Sequence, residues 1–204
     1  MAGLRRFARA TVPVLRCEMC SAALLSEHQH LMEASKHQLL CCCQACAVLF
    51  GSHDVGKYHL IPRRNARLLN SVFLITDAQW DALLIPINIA FFFKSSSESR
   101  VIAIYPSPAG ATESLLDLAT WEALEADNPV LAEMEPDVEA FLVNRADGAR
   151  DYYRVPIDQC YALVGLIRAR WRGLSGGSEA WDAIREFFAG LKTGASASGM
   201  GCHA

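Results

Sequence analysis

Extended apolar runs separated by short polar turns dominate the middle of the chain. Ile87 to Lys94 (INIAFFFK) and Arg100 to Tyr105 (RVIAIY) are rich in β-branched and aromatic residues. They flank the polar stretch Ser95–Ser99 and predict a β-hairpin. Val138 to Arg145 (VEAFLVNR) and Asp151 to Ile157 flank Asp147-Gly148 and predict a second one. Two hairpins suffice for an antiparallel sheet of about four strands.

Helical spacing appears around and after these runs. Thr76-Asp-Ala-Gln79 opens a short helix with Trp80, Leu83 and Leu84, and Pro86 ends it. Leu118 to Ala126 carries Leu118, Trp121 and Leu124, and Asn128-Pro129 starts another short helix. Asp158 is placed to cap a helix through Arg172, with Cys160, Leu163, Val164, Ile167 and Trp171 on its apolar face. After the break Gly173–Gly177, Ser178 caps a last helix striped by Trp181, Ile184, Phe187, Phe188 and Leu191. The small-residue stretch from Thr193 reads as a flexible tail.

The N-terminal quarter has a different grain. Gln29 to Ala34 and His37 to Cys42 read as two short strands around Ser35-Lys36. Cys43 to Phe50 reads as one or two helical turns ended by Gly51. Tyr58 to Ile61 is a further strand, followed by a basic loop with Arg63, Arg64 and Arg67. The fold class is α+β: a small N-terminal module (residues 1–62), an α+β domain (63–192) and a tail (193–204).

Composition narrows the function classes. The 204 residues are 52% hydrophobic and 20% charged, which excludes a mostly disordered chain. A net charge of −3 argues against coating a polyanion. Its distribution is uneven: residues 1–70 hold nine Lys or Arg against four Asp or Glu, and the rest ten against eighteen. No apolar run reaches the roughly 18 residues of a membrane span. The Arg-rich start (Arg5, Arg6, Arg9, Arg16) lacks the apolar core of a secretory signal, so a cytoplasmic location is expected.

Six of the eight cysteines fall between positions 17 and 46. In a reducing compartment that density points to metal rather than disulfides. Cys17-x2-Cys20 and Cys43-x2-Cys46 are separated by 22 residues. Two such pairs converge four thiolates on one ion, the tetrahedral arrangement of a structural zinc site. Cys17, Cys20, Cys43 and Cys46 are therefore the candidate ligands, in a treble-clef or zinc-ribbon-like module. Cys41 could replace Cys43 as third ligand. His28, His30, His37 and His53 lie nearby, but four sulfurs already close the shell. Iron in a rubredoxin-like site is the alternative ion. Ser21 and Ala47 stand where rubredoxin knuckles usually carry Gly, which weighs against it.

Little else suggests chemistry. The loop Pro106–Ser114 offers Ser107, Thr112 and Ser114 but lacks the Lys-Ser/Thr ending of a phosphate loop. Glu133, Glu135, Asp137 and Glu139 read as a solvated acidic face. Cys160 reads as a helix-face residue and Cys202 as part of the tail. No nucleophile–base signature stands out, so a binding role is expected over turnover. Arg63, Arg64 and Arg67, combined with the 106–114 loop, form the expected partner surface.

Five stretches resemble a known family: LRRFAR at Leu4, RCEMC at Arg16, IPINIAFFF at Ile85, YPSPAGATESLLDL at Tyr105 and VPIDQCYALVGLIRARWRGLSGG at Val155. The chain resembles, over about residues 4–192, an uncharacterised bacterial domain-of-unknown-function family encoded beside high-affinity uptake nickel–iron hydrogenases. The resemblance implies an accessory role in hydrogenase assembly, maturation or electron transfer. The expected partner is a hydrogenase subunit or maturation factor. A nucleic-acid-binding zinc module is a further alternative.

Overall fold

The computed structural model describes residues 14–51, 56–73, 75–173 and 175–199. Arg5, Arg6, Arg9, His53 and Cys202 lie outside the described residues. Near the N-terminus, β1 (Gln29–Glu33), β2 (Gln38–Cys42) and β3 (Tyr58–Leu60) form an antiparallel sheet in the order β2-β1-β3. A 3-10 turn, Ala34–Lys36, joins β1 to β2, and His37 closes it in the left-handed region at φ 49°. Helix α1 (Gln44–Phe50) follows β2 directly.

The larger sheet has six strands rather than four. In chain order they are β4 (Arg67–Leu68), β5 (Ile89–Ser95), β6 (Arg100–Ser107), β7 (Gly110–Ser114), β8 (Glu139–Asn144) and β9 (Asp151–Pro156). They are antiparallel in the order β4-β9-β8-β5-β6-β7. The two expected hairpins form its centre, and β4 and β7 extend it at the edges. Helices α2 (Asp77–Ala82) and α3 (Leu118–Asp127) precede and follow the β5–β6–β7 meander. Helices α4 (Ile157–Arg170) and α5 (Gly177–Gly199) end the described chain. Among the described residues no helix is long and apolar enough to cross a membrane.

Burial on both faces explains the unbroken apolar run of β5. Ile89, Phe91 and Phe93 face a core completed by Cys160, Leu163 and Ile167 of α4 and by Ile184 and Phe188 of α5. Ala90 and Phe92 face the opposite core with Trp80 and Leu83 from the α2 region and Trp121 and Leu124 of α3. Side chains alternate between faces, so a strand covered on both sides must be apolar at every position. Met32 and Ile61 of the N-terminal module join the first of these cores. The module is tied down further where Tyr161 donates to the His37 carbonyl at 2.6 Å and Ser97 to the Ala34 carbonyl at 3.0 Å.

Several expectations change. The stretch Pro106–Ser114 is not an open loop but the end of β6, a tight turn and β7. Ser107 and Thr112 hydroxyls pair at 3.0 Å, and Ser114 donates to the Leu84 carbonyl at 3.3 Å. The three hydroxyls are thus spent inside the fold. The expected partner surface does not assemble. Arg67 lies on β4 and the β6–β7 turn at the other edge, five strand spacings or roughly 24 Å away. The acidic run is a solvated face only in its first half, Glu133 and Glu135. Asp137 is 0% and Glu139 4% exposed. Asp137 accepts from the Ser96 amide at 3.0 Å, while Glu139 meets Arg64 at 3.4 Å and Arg154 at 3.5 Å.

Helix ends also differ from the reading. Pro156 sits at the N-cap of α4, and Asp158 falls in its first turn instead of capping it. Ser178 likewise lies inside α5, which continues to Gly199, past the Thr193 at which the tail was expected. Gly176, at φ 85°, packs so closely on Trp171 that a Cβ would come within 2.9 Å of the ring. The α2 start matches its motif. Thr76 accepts from the Gln79 amide at 3.1 Å, and the Gln79 side chain accepts from the Thr76 amide at 2.9 Å. Thr76→Ala is expected to lower the unfolding free energy by about 1 kcal/mol. Urea titration would show it as a shifted midpoint with an unchanged slope.

Candidate metal centre

Two differently built segments bring the sulfurs together. The first is a knuckle. Leu24 donates its amide to the Leu15 carbonyl at 2.8 Å, and Cys17 donates to the Ala22 carbonyl at 2.8 Å. Ser21 closes the turn with an amide bond to the Cys17 carbonyl at 2.8 Å. Its φ of 63° is left-handed. Ser therefore adopts the left-handed conformation that Gly takes most readily. The knuckle is pinned to β2: Glu18 donates its amide to the Cys41 carbonyl at 2.9 Å, and the Glu18 carboxylate accepts from the Cys41 amide at 2.6 Å.

The second segment is a helix start. Cys43 is the N-cap residue of α1, with extended φ/ψ of −78° and 163°. Cys46 lies in the first turn, so both side chains leave the same end of the helix. The sulfurs of Cys17, Cys20, Cys43 and Cys46 all lie within 4.8 Å of one another. Cys20 and Cys43 sulfurs are 3.7 Å apart. A tetrahedron with bonds of about 2.3 Å has edges of about 3.8 Å, so this spacing fits metal ligation. Cys17 and Cys46 are buried, Cys43 is half-buried and Cys20 is exposed. The centre therefore lies just under the module surface.

The electrostatics also suit a cation. Burial raises the Cys17 thiol, but the amides of Cys43, Cys20 and Met19 outweigh it and bring it down to about 6. The Cys46 amide, opposed by burial, lowers Cys43. Cys46 is driven up by burial and then by the other three sulfurs. The Ala22 amide lowers Cys20, yet Cys17 and Cys43 beside it leave it raised. Four sulfurs this close cannot all be thiolates without a compensating charge. A divalent ion supplies one and deprotonates its ligands outright. Four sulfurs select a soft or borderline ion over magnesium or calcium. The cluster could hold such an ion.

The neighbouring cysteines and histidines go elsewhere. Cys42 is buried against Leu31 and Leu40, and burial pushes its thiol up to about 11. Cys41 is not among the four sulfurs. It sits beside His28 and His30. His37 bonds Ser95 at 3.0 Å and His59 approaches Asp137 at 3.7 Å. Cys160 is fully buried in the core of α4, and burial raises its thiol. Sequence reasoning missed Asp158 as a histidine partner. The two residues are 128 positions apart, and only the packing of α4 on the module joins them.

Comparison with known proteins adds one relationship. No curated protein and no solved structure matches the chain. A family model described as a family of unknown function, DUF5947, matches residues 16–195. That span begins at Arg16, beside the first ligand candidate, and takes in both sheets and most of α5. The chain, from its cysteine module to its last helix, belongs to the DUF5947 family.

Proposed function

We propose that the chain is an accessory protein whose four-cysteine centre holds zinc and whose metal-organised module docks on another protein. A knuckle, a hairpin and a helix whose first turn supplies the last two ligands form a treble-clef arrangement. A rubredoxin site would use a second knuckle where this chain has α1. A shell closed by four sulfurs leaves no position for substrate or water, so the ion serves structure rather than catalysis.

The observation carrying the docking role is the outer side of α1. Val48 and Leu49 are each 73% exposed and Phe50 is 41% exposed. Phe50 meets the Tyr58 ring edge to face at 6.3 Å, but Val48 and Leu49 are not among the residues of the module's core or those packed against it. The family resemblance supplies the client: a subunit or maturation factor of an uptake nickel–iron hydrogenase.

Deleting the gene in its host should lower the amount of assembled hydrogenase without changing the activity of what does assemble. Wild-type complementation should restore it, whereas a Leu49→Glu chain that keeps its metal and its melting temperature should not. Normal hydrogenase levels in the deletion strain would refute the client. Full rescue by Leu49→Glu would refute the surface. Visible colour in the purified protein would mark iron, since a zinc centre with four thiolates is colourless.

A further inference from the structure

Next to the four-sulfur cluster the module carries a second set of donors. His30 on β1 and Cys41 on β2 are directly paired across the antiparallel ladder. His28 lies just before β1, and its ring packs against that of His30. One ring nitrogen of each histidine and the Cys41 sulfur lie within 4.8 Å of one another. The two rings meet edge to face with centroids 4.9 Å apart.

Both imidazoles are held from behind. His30 Nδ1 is 3.0 Å from Asp158 Oδ2 on α4, and His28 Nδ1 is 3.0 Å from the Leu25 carbonyl. An Nδ1–H donated to a carboxylate or a carbonyl fixes the tautomer and leaves Nε2 with its lone pair. This is the outer-shell support that metal-ligating histidines almost always have. His28 Nε2 is buried and has no hydrogen-bond partner among the described residues. A buried acceptor without a partner is costly, and a metal ion would satisfy it.

The geometry points to a second metal site, formed by His28, His30 and Cys41, which takes a borderline divalent transition ion of the zinc class. Two imidazoles and one thiolate suit such an ion and not magnesium or calcium. The three donors are surplus to the four-cysteine centre, and the two sites share no ligand. Unlike the four-sulfur shell, this one has only three protein ligands and leaves a position for water or a small anion. The histidines and Asp158, though not Cys41, line a cleft of about 360 Å3 whose wall includes Glu27, Arg63 and Arg64, the last paired with Glu135 and Glu139. An ion with two neutral and one anionic ligand keeps a net positive charge, so water or a small anion completes its shell.

Metal-free full-length protein titrated with Zn2+ and then measured for bound metal gives the test. Wild type should bind two ions per chain. His28→Ala/His30→Ala and Cys41→Ala should each bind one, with the affinity of the remaining site unchanged. Asp158→Asn keeps the size of the side chain and the fold. It should weaken the second ion by about 10- to 100-fold and leave the first untouched. With 113Cd2+ as probe, NMR should show two resonances, and the one from the mixed nitrogen–sulfur site should vanish in Cys41→Ala. One ion per wild-type chain would overturn the proposal, as would two ions retained in the His28→Ala/His30→Ala chain. An Asp158→Asn chain with unaltered affinity would reduce the His30–Asp158 pair to a structural contact and remove the outer-shell argument.

Discussion

Replacing Cys17 and Cys46 together by serine is expected to release the ion held by the four sulfurs and unfold the N-terminal module. The reason lies in the module's core, which contains only Cys17, Leu31, Leu40, Cys42, Cys46 and Ala47 among the described residues. Two of these six are ligand candidates, so the double substitution also alters a third of the buried set. Binding in structural zinc modules supplies on the order of 10 kcal/mol of folding free energy. So small an apolar core cannot replace that. The six-stranded sheet should survive, because neither of its cores uses the ligand sulfurs. It should melt earlier, since Met32 and Ile61 leave the core they share with α4. Metal analysis should show loss of the four-sulfur ion and, because His28, His30 and Cys41 belong to the same module, of the second ion with it, and limited proteolysis should cut between residues 14 and 60. Unchanged metal content in the double variant would refute the ligand assignment.

Trp121→Ala should produce the largest loss of stability in the body of the protein. Trp121 is 2% exposed, stacks on Phe92 at 5.1 Å and lies 6.5 Å from Phe141. It fastens α3 to the face of the sheet opposite α4 and α5. Truncating a buried Trp costs about 3–5 kcal/mol, through lost transfer energy and the cavity left behind. Denaturant titration should show this loss with full metal content, because α3 packs on the sheet face opposite the one that Met32 and Ile61 join. A loss under about 1 kcal/mol would mean that the layer is not packed as described.

The two variants separate what the sequence shows locally from what only tertiary packing decides. The clustering of the two cysteine pairs was legible because Cys-x2-Cys is a local motif, and so were the hairpins β5–β6 and β8–β9, whose apolar runs are long. The strands β4 and β7 were not. Arg67-Leu68 is too short to display a period. Gly110–Ser114 has low β propensity and becomes a strand only because β6 offers it a free edge. The acidic run misled because Asp137 and Glu139 are buried by partners from distant segments: Ser96 for the first, Arg64 and Arg154 for the second. Asp158 looked like a helix cap, since Asp before an apolar stripe usually is one. Pro156 starts the helix earlier, which frees Asp158 to meet His30.

That His30–Asp158 contact has a consequence for the order of events during synthesis. All four sulfurs of the metal cluster have left the ribosome once Cys46 has. Asp158 and Tyr161, which fasten the module to α4, follow 112 and 115 residues later. At about 5–20 residues per second the interval lasts roughly 6–23 s. During it the module has no α4 to lie against, and the underside bearing Met32 and Ile61 is uncovered. An ion at the proposed four-cysteine centre would hold the hairpin and α1 together over that interval. On the proposed metal assignment, ion supplied during translation would let the module fold before α4 arrives, and chains made without it would take up metal only after the sheet has formed.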